Sequence, residues 1–401
     1  MLAGLSGIAP FATDMYVPAL PQIAADLGTD TSGAEISLTC FLAGMVVGQL
    51  FLGPLSDQVG RRAVLIAGTA AFAVGSLACA VAPSAVVLDG ARLVQGFAGA
   101  AGVVVSRAVV ADLHSGTSLA TMFARLGAIT AAAPIVAPFA GGVLLGAFTW
   151  RTVFVVLAVA GVLLCLTTCL GVPETLPAGA RARAGVRAGV VSVVSVARRF
   201  DVISAVLIVG FGGATVFAYI ASSSFVFHTV YGMSAVHVSV VYGVNAVGNM
   251  AGSMLFGRLV RRRSPEAVVV TGTTGGLACS AALLITGALG VDSVVTTWLL
   301  LFGVLVSVGI TFPGALTISQ QRGADAPGST SALVGAVQFS FGAASAPVVG
   351  VLGATSVTPI AAVIATTSAL GVVTAVIVMR ARDRGPAATS GSAPTRAPAS
   401  G

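Results

Sequence analysis

Residues 53–62 read Gly53-Pro54-Leu55-Ser56-Asp57-Gln58-Val59-Gly60-Arg61-Arg62. This short charged junction stands between two apolar runs, at 35–56 and 63–82. About twenty consecutive apolar residues are what a helix needs to cross the hydrocarbon core of a bilayer. In lipid the backbone polar groups must be satisfied internally, so only helices and closed barrels span it. Continuous apolar runs without polar alternation select the helix. The junction therefore reads as a tight turn between two spanning helices. Gly53 and Gly60 give the turn its freedom, and Asp57 is placed to pair with Arg61 or Arg62. Charge pairs that must break for two bodies to rock would act as a gate. The same arginines would also serve topology alone.

Working outward, the same alternation repeats along the chain. We place twelve spans, at 2–25, 35–56, 63–82, 86–109, 119–146, 152–171, 202–227, 237–256, 266–288, 293–314, 330–351 and 357–379. Composition agrees. Mean hydropathy is +1.02, and only 8% of residues are charged, against roughly 25% in soluble chains. The formal charge of +7 argues against nucleic acid once its distribution is seen, because the cations sit in short connectors. All are arginines. Arg61, Arg62, Arg107, Arg181, Arg183, Arg187, Arg198, Arg199, Arg258, Arg261, Arg262, Arg263, Arg322, Arg380, Arg382, Arg384 and Arg396 fall at one side, whereas the opposite connectors hold only Arg151. By the positive-inside rule, both termini and the central loop are expected in the cytoplasm, with the protein in the inner (cell) membrane.

The expected fold is an all-α membrane protein of two pseudo-symmetric six-helix bundles. Residues 1–171 form the first and 201–380 the second, joined by a basic cytoplasmic loop at 172–200 and followed by a disordered tail at 381–401, rich in Pro, Ala, Ser and Gly. The halves carry weak internal matches. Gly48, Gly53 and Leu55 correspond in spacing to Gly252, Gly257 and Leu259, and Pro138 and Gly141 to Pro347 and Gly350. Parallel six-helix repeats are a common plan for secondary transporters, with the site between the repeats.

Asp14 is the most informative single residue. It is the acid placed well inside a span, where a charge costs at least ~2.5–3.5 kcal/mol on insertion scales. Pro10, Asp14 and Pro18 share one face, and the prolines break local hydrogen bonds, so this helix should be irregular beside the acid. Asp14 either pairs with an arginine or takes and gives a proton as its surroundings change. Arg92 is the matching cation, with Gln95 on its face. Arg92 either pairs with Asp89 one turn earlier, or lines the cavity and tunes Asp14 or a substrate. Arg125 is close enough to the helix end to snorkel. Pro134, Pro138, Gly141 and Gly142 make the fifth span a bent, closely packed element, suited to a rocking interface or to plain helix packing. Tyr16, Phe41, Gln95, Phe217, Tyr219, Phe225, Tyr242, Asn245, Asn249, Gln338 and Phe339 are the candidates for a cavity lining of aromatics and amides.

Cys40, Cys79, Cys165, Cys169 and Cys279 all lie in apolar runs and read as packing residues. His114, His228 and His237 fall in loops or at helix ends. No constellation points to a metal, cofactor or enzymatic reaction, and no nucleotide-binding loop is present.

The 53–62 segment resembles the G-x-L-x-D-x-x-G-R-R signature of the major facilitator superfamily. Arg92-Leu93-Val94-Gln95-Gly96 resembles that superfamily's helix-four signature. Ala133-Pro134-Ile135-Val136-Ala137-Pro138-Phe139-Ala140-Gly141-Gly142 is similar to its antiporter signature in helix five. Asp14-Met15-Tyr16-Val17-Pro18-Ala19-Leu20-Pro21 is similar to the D-x-Y-x-P-A-L-P signature of the bicyclomycin-resistance-type (Bcr/CflA) drug:proton antiporters. The resemblance implies proton-coupled efflux of small hydrophobic or amphipathic drugs such as antibiotics. It implies that Asp14 carries protons, that Arg92 supports coupling, and that Asp57, Arg61 and Asp112 form a cytoplasmic latch near the start of helix eleven. The expected partners are a small-molecule substrate, protons and the lipid bilayer, and the chain is expected to act as a monomer. The sequence departs from some drug antiporters in having no second acid in helix one before Asp14, which argues against more than one proton per cycle and against dications. Two other readings are export of an endogenous metabolite and a non-transporting membrane sensor. The second would need soluble signalling parts, and the extramembrane segments are short.

Overall fold

The computed structural model describes residues 2–16, 19–29, 31–130, 133–177, 179, 181, 186–233, 235–352 and 356–383. The described chain is helical almost throughout. Six passes come from α1 (Leu2–Asp14) with α2 (Leu20–Asp26), α3 (Thr31–Val59), α4 (Arg61–Ala80), α5 (Ala85–Leu113), α6 (Gly116–Thr130) with α7 (Ala133–Ala147), and α8 (Trp150–Gly171). The helix α9 (Val186–Arg198) follows. Six more passes are α10 (Phe200–Phe225), α11 (Ala235–Leu259), α12 (Pro265–Ala288), α13 (Val294–Arg322), α14 (Pro327–Leu352) and α15 (Thr358–Asp383). A π-helical turn, Val226–Val230, extends α10.

The first expected span is built from two helices. The first pass stops at Asp14 and resumes at Leu20, around the Asp14–Pro18 region where the prolines predicted irregularity. In the fifth, α6 and α7 flank residues 131–132, which lie outside the described residues. Several helices are longer than a bilayer requires. α5 and α13 each have 29 residues, so their ends project beyond the expected limits. Arg107, read from the sequence as a connector cation, consequently lies inside α5 with only 7% of its surface exposed.

The connector between the halves also departs from expectation. Much of it is the helix α9, which packs across α3, α10 and α14. Val193 and Val196, three apart and so on one face, are buried, while Val191 and Val194 are exposed. The composition of 172–200 concealed a one-sided helix. The segment 384–401 lies outside the described residues, and α15 runs on to Asp383.

Within each half the same close approaches recur. A methyl group on Gly48 of α3 would meet the Phe97 carbonyl of α5, and one on Gly252 of α11 would meet the Val306 carbonyl of α13. Small residues here let helix backbones come together in lipid, where no hydrophobic force drives them. The other matched pair faces across the halves. Gly53 adjoins Gly328 and Ala332 of α14, and Gly257 adjoins Ala124 of α6. The degenerate repeat thus maps onto one internal and one inter-half contact in each bundle. The second proline match, Pro347 and Gly350, concerns side chains outside the described residues.

The halves are closed at the arginine-rich end. There α3 packs on α14, and α6 packs on α11 and α13. Ser253 Oγ donates to the Ala124 carbonyl at 2.8 Å. Residues 328–336 of α14 are buried without interruption, whereas Ser340, Ala343, Ala344 and Val348 further along are exposed. In α3, Leu52 and Ser56 are buried, and Ile36, Thr39 and Ala43 nearer its start are exposed. The described contacts between the halves are therefore concentrated at the arginine-rich end.

Candidate functional site

The seal is an ion-pair cluster built on the 53–62 junction. Gly60 has φ +113°, a conformation that favours glycine, and it turns the chain so that Arg61 enters the interior. Arg61 is fully buried. It pairs with Asp57 at 2.7 Å and Asp112 at 2.9 Å, and it donates to Ser56 Oγ at 2.6 Å. The other face of the Asp57 carboxylate accepts the backbone N–H groups of Gly328 and Ser329, both at 3.2 Å. These are first-turn donors of α14, which have no partner within their own helix. A carboxylate there also meets the positive end of the helix dipole. Asp57 therefore joins its own bundle, through Arg61, to the opposite one. Arg62 instead turns to the Cys169 carbonyl at 2.6 Å and stays within the first half. Ser329 Oγ donates to Ser192 of α9 at 2.9 Å, tying the connector to the same seal.

Asp14 ends α1 and is half-buried. Thr13 Oγ1 donates to it at 3.1 Å, and no described cation pairs with it. The face it shares with Ser6 and Pro10, at four-residue spacing, is the face those two present to a cavity between the halves. Close by, Gly141 of α7 meets the Met15 carbonyl so tightly that no Cβ would fit, so α7 is seated directly on the break in the first pass. Gly142 has open space beside it. The side chains of Pro134 and Pro138 lie outside the described residues.

Arg92 does not reach Asp14, and no ion pair joins it to Asp89. It is fully buried, with its guanidinium carbon 4.5 Å from the Tyr16 ring centre, 4.3 Å from Phe41 and 5.6 Å from Phe154. One nitrogen, Nη1, donates to Gln95 Oε1 at 2.7 Å and to the Ala12 carbonyl at 3.2 Å. Ala12 is among the last carbonyls of α1, which a helix end leaves without an intrahelical donor. Arg92 is thus a cap on the broken helix, placed two residues before Asp14. Gln95 is held in turn by donating to Ser76 Oγ at 2.7 Å, and the Tyr16 hydroxyl bonds Ser37. Tyr16, Phe41 and Gln95 were expected in a cavity lining. They are instead fully buried, because a cation with no anion beside it draws aromatic faces and an amide inward as its solvent. Arg92→Ala would strip Gln95 and Ala12 of that donor. We expect it to cost on the order of 2–4 kcal/mol, read as a lowered unfolding midpoint in detergent. A variant as stable as the parent would remove the capping role.

A small cavity lies between the halves. Its walls come from α1, α5, α6, α13 and α14, including Ser6, Pro10, Arg107, Thr130, Gln338 and Phe339. Gln338 and Phe339 are the two expected lining residues found there. Phe217 stands just behind, its ring centre 6.0 Å from that of Phe339. Arg107 was missed as a site residue. Its Nη2 donates to Gln338 Oε1 at 3.1 Å, joining the halves across the cavity floor. Tyr219, Tyr242 and Asn245 form a separate cluster within the second half. Asn245 donates to the Tyr219 hydroxyl at 2.9 Å and accepts from Trp298 at 3.1 Å, while Tyr242 accepts from Ser223 at 2.8 Å. These groups satisfy one another and do not line that cavity. The Phe225 side chain lies outside the described residues. A second cavity, among α10, α12, α13 and α15, is lined by glycines, hydroxyl groups and apolar residues with no charged group.

Comparisons with known proteins agree with this architecture. The model of the Major Facilitator Superfamily matches residues 2–347. The chain is 35% identical over 376 residues to a Bacillus subtilis protein named uncharacterized MFS-type transporter YdgK, covering 92% of each. It is 28% identical over 342 residues to the bicyclomycin resistance protein homolog of Haemophilus influenzae, covering 84% of this chain and 85% of that one. Among solved structures, the proton:xylose symporter XylE superposes with a TM-score of 0.77 at 13% identity, covering 94% of both chains. At that identity the likeness speaks for the fold alone.

Proposed function

Because the chain belongs to the Major Facilitator Superfamily, and is therefore a membrane transporter and no enzyme, we propose that it is a proton-coupled exporter of small hydrophobic or amphipathic drugs, antibiotics among them. The observation that carries this reading is the half-buried carboxyl of Asp14, at a break in the first pass, one turn beyond Pro10, which lines the central cavity that Asp14 itself does not line. A carboxyl so placed is suited to take and give a proton as the two bodies move, and no cation among the described residues pairs with it. The name of the Haemophilus influenzae relative supports a drug substrate. The arginine-rich end is the cytoplasmic one on the positive-inside rule, with both termini there and the cell membrane as the location. The Asp57–Arg61–Asp112 seal then closes the cytoplasmic side. Residues 1–171 and 201–380 move as the two bodies, 172–200 connects them, and one chain suffices for the cycle.

The test is transport in vesicles under an imposed pH gradient, with a panel of antibiotics and a pH-sensitive dye reporting lumenal protons. At least one compound is expected to move against its gradient and to release protons in exchange. Uphill movement that persists when the proton gradient is collapsed would overturn proton coupling.

A further inference from the structure

Arg107 is a buried cation without an anion. Only 7% of its surface is exposed, its Nη2 is taken by Gln338, and its Nη1 is buried with no hydrogen-bond partner. No ion pair among the described residues includes it. Ser6 Oγ, from α1 on the same cavity, is likewise buried and without a partner. Two polar groups from two helices therefore border one space with nothing to bond, and the guanidinium has donors only. Around them Val103, Leu126, Phe312, Leu316 and Phe339 supply an apolar wall.

We propose that Arg107 and Ser6 form a subsite for a hydrogen-bond-accepting oxygen of the substrate, a carboxylate or a carbonyl, and that Arg107 excludes cations from the cavity floor. The oxygen takes a charge-assisted hydrogen bond from Nη1 and a second bond from the Ser6 hydroxyl. The apolar body of the same molecule rests on Phe339 and Phe312. A lipophilic cation placed there meets a fixed like charge in surroundings that screen it poorly. Since Gln338 belongs to the other half, an oxygen on Arg107 sits beside the bond that joins the two bodies.

The inference rests on the transport reading only for the premise that substrate enters this cavity. Equilibrium binding to the purified full chain in lipid nanodiscs, with no proton gradient, tests it separately. Three probes share one apolar frame: 4-biphenylcarboxylate, 4-biphenylcarboxamide and 4-biphenylmethylammonium. The acid or the amide is expected to bind at least roughly tenfold more tightly than the ammonium. An acid far tighter than the amide identifies a carboxylate subsite, and equal affinities a carbonyl subsite. Arg107→Gln should weaken the acceptor probes by about 10- to 100-fold and abolish the preference. Arg107→Lys should restore the preference over the ammonium, which a merely structural role would not do. Ser6→Ala, a smaller change, should weaken the acceptor probes alone. Equal binding of all three probes to the parent chain, an undiminished preference in a folded Arg107→Gln, or no binding of acid and amide at millimolar concentration would each overturn the subsite. Intact binding preference with no proton exchange in vesicles would instead sink the coupling and leave the subsite standing.

Discussion

Asp14→Asn is expected to abolish uphill export while the chain still folds, inserts and exchanges substrate down its gradient. The amide keeps the shape of the carboxyl and can still accept from Thr13, as Asp14 does at 3.1 Å, so the end of α1 should be little disturbed. What it loses is the proton. One proton entering down a 100 mV potential supplies about 2.3 kcal/mol, and a tenfold proton gradient adds about 1.4 kcal/mol. Together these sustain a concentration ratio of several hundredfold for a neutral substrate exchanged one for one. Without a titrating group that ratio should collapse to near unity, with counterflow preserved. The measurement is steady-state accumulation in vesicles beside counterflow at equal pH. Retention of even a tenth of the parent's accumulation ratio in Asp14→Asn would move proton coupling to another residue. Arg92 offers a second check on the same logic. It caps α1 beside Asp14 without touching the carboxyl, so its loss should act on stability first and on coupling only through the helix end.

How much of this was legible in the sequence depends on whether a residue's partners lie on its own helix. The prolines flagged irregularity beside Asp14, and α1 does end there, although it runs unbroken through Pro10. Gln95 was placed correctly on the face of Arg92, three residues away on α5. The aromatic rings over Arg92 come from the first pass, α3 and α8, and no spacing rule links those segments. Arg107 was misread for a different reason. Counting arginines by connector assumes helices of bilayer length, whereas α5 continues to Leu113 and carries that guanidinium inside. Helix α9 was hidden by its own composition, since a basic, weakly apolar stretch says nothing about burial until α3 and α14 are there to cover Val193 and Val196. The glycines show the opposite case. Gly257 stood out only as a degenerate match to Gly53, and the fold supplies the physical content of both, which is contact between the halves.

Gly53→Val is expected to prevent the seal from closing and to cost most of the transport rate. An added Cβ at this position would lie 2.5 Å from the Gly328 carbonyl and 2.7 Å from Ala332 Cβ. The first of these is backbone in the opening turn of α14, the turn whose N–H groups Asp57 holds, so it cannot yield without breaking the latch. Overpacking of this kind costs about 1–3 kcal/mol, a factor of roughly 5–150 in the population of the closed arrangement. When the halves part at this end the clash disappears, so thermal stability should fall by less than the rate. Gly257 makes the matching contact in the other bundle but meets only Ala124 Cβ, at 3.1 Å, where a few tenths of an ångström of movement suffices; Gly257→Ala should therefore retain most activity. The direct readout is thiol labelling of Ala332→Cys with the five native cysteines replaced. Ala332 is fully buried in the seal, so labelling should be slow in the parent and fast once Gly53→Val is added. Equal labelling rates with and without Gly53→Val would mean that this contact does not govern closure, and the gate would then have to be sought in the α6–α11 contact instead.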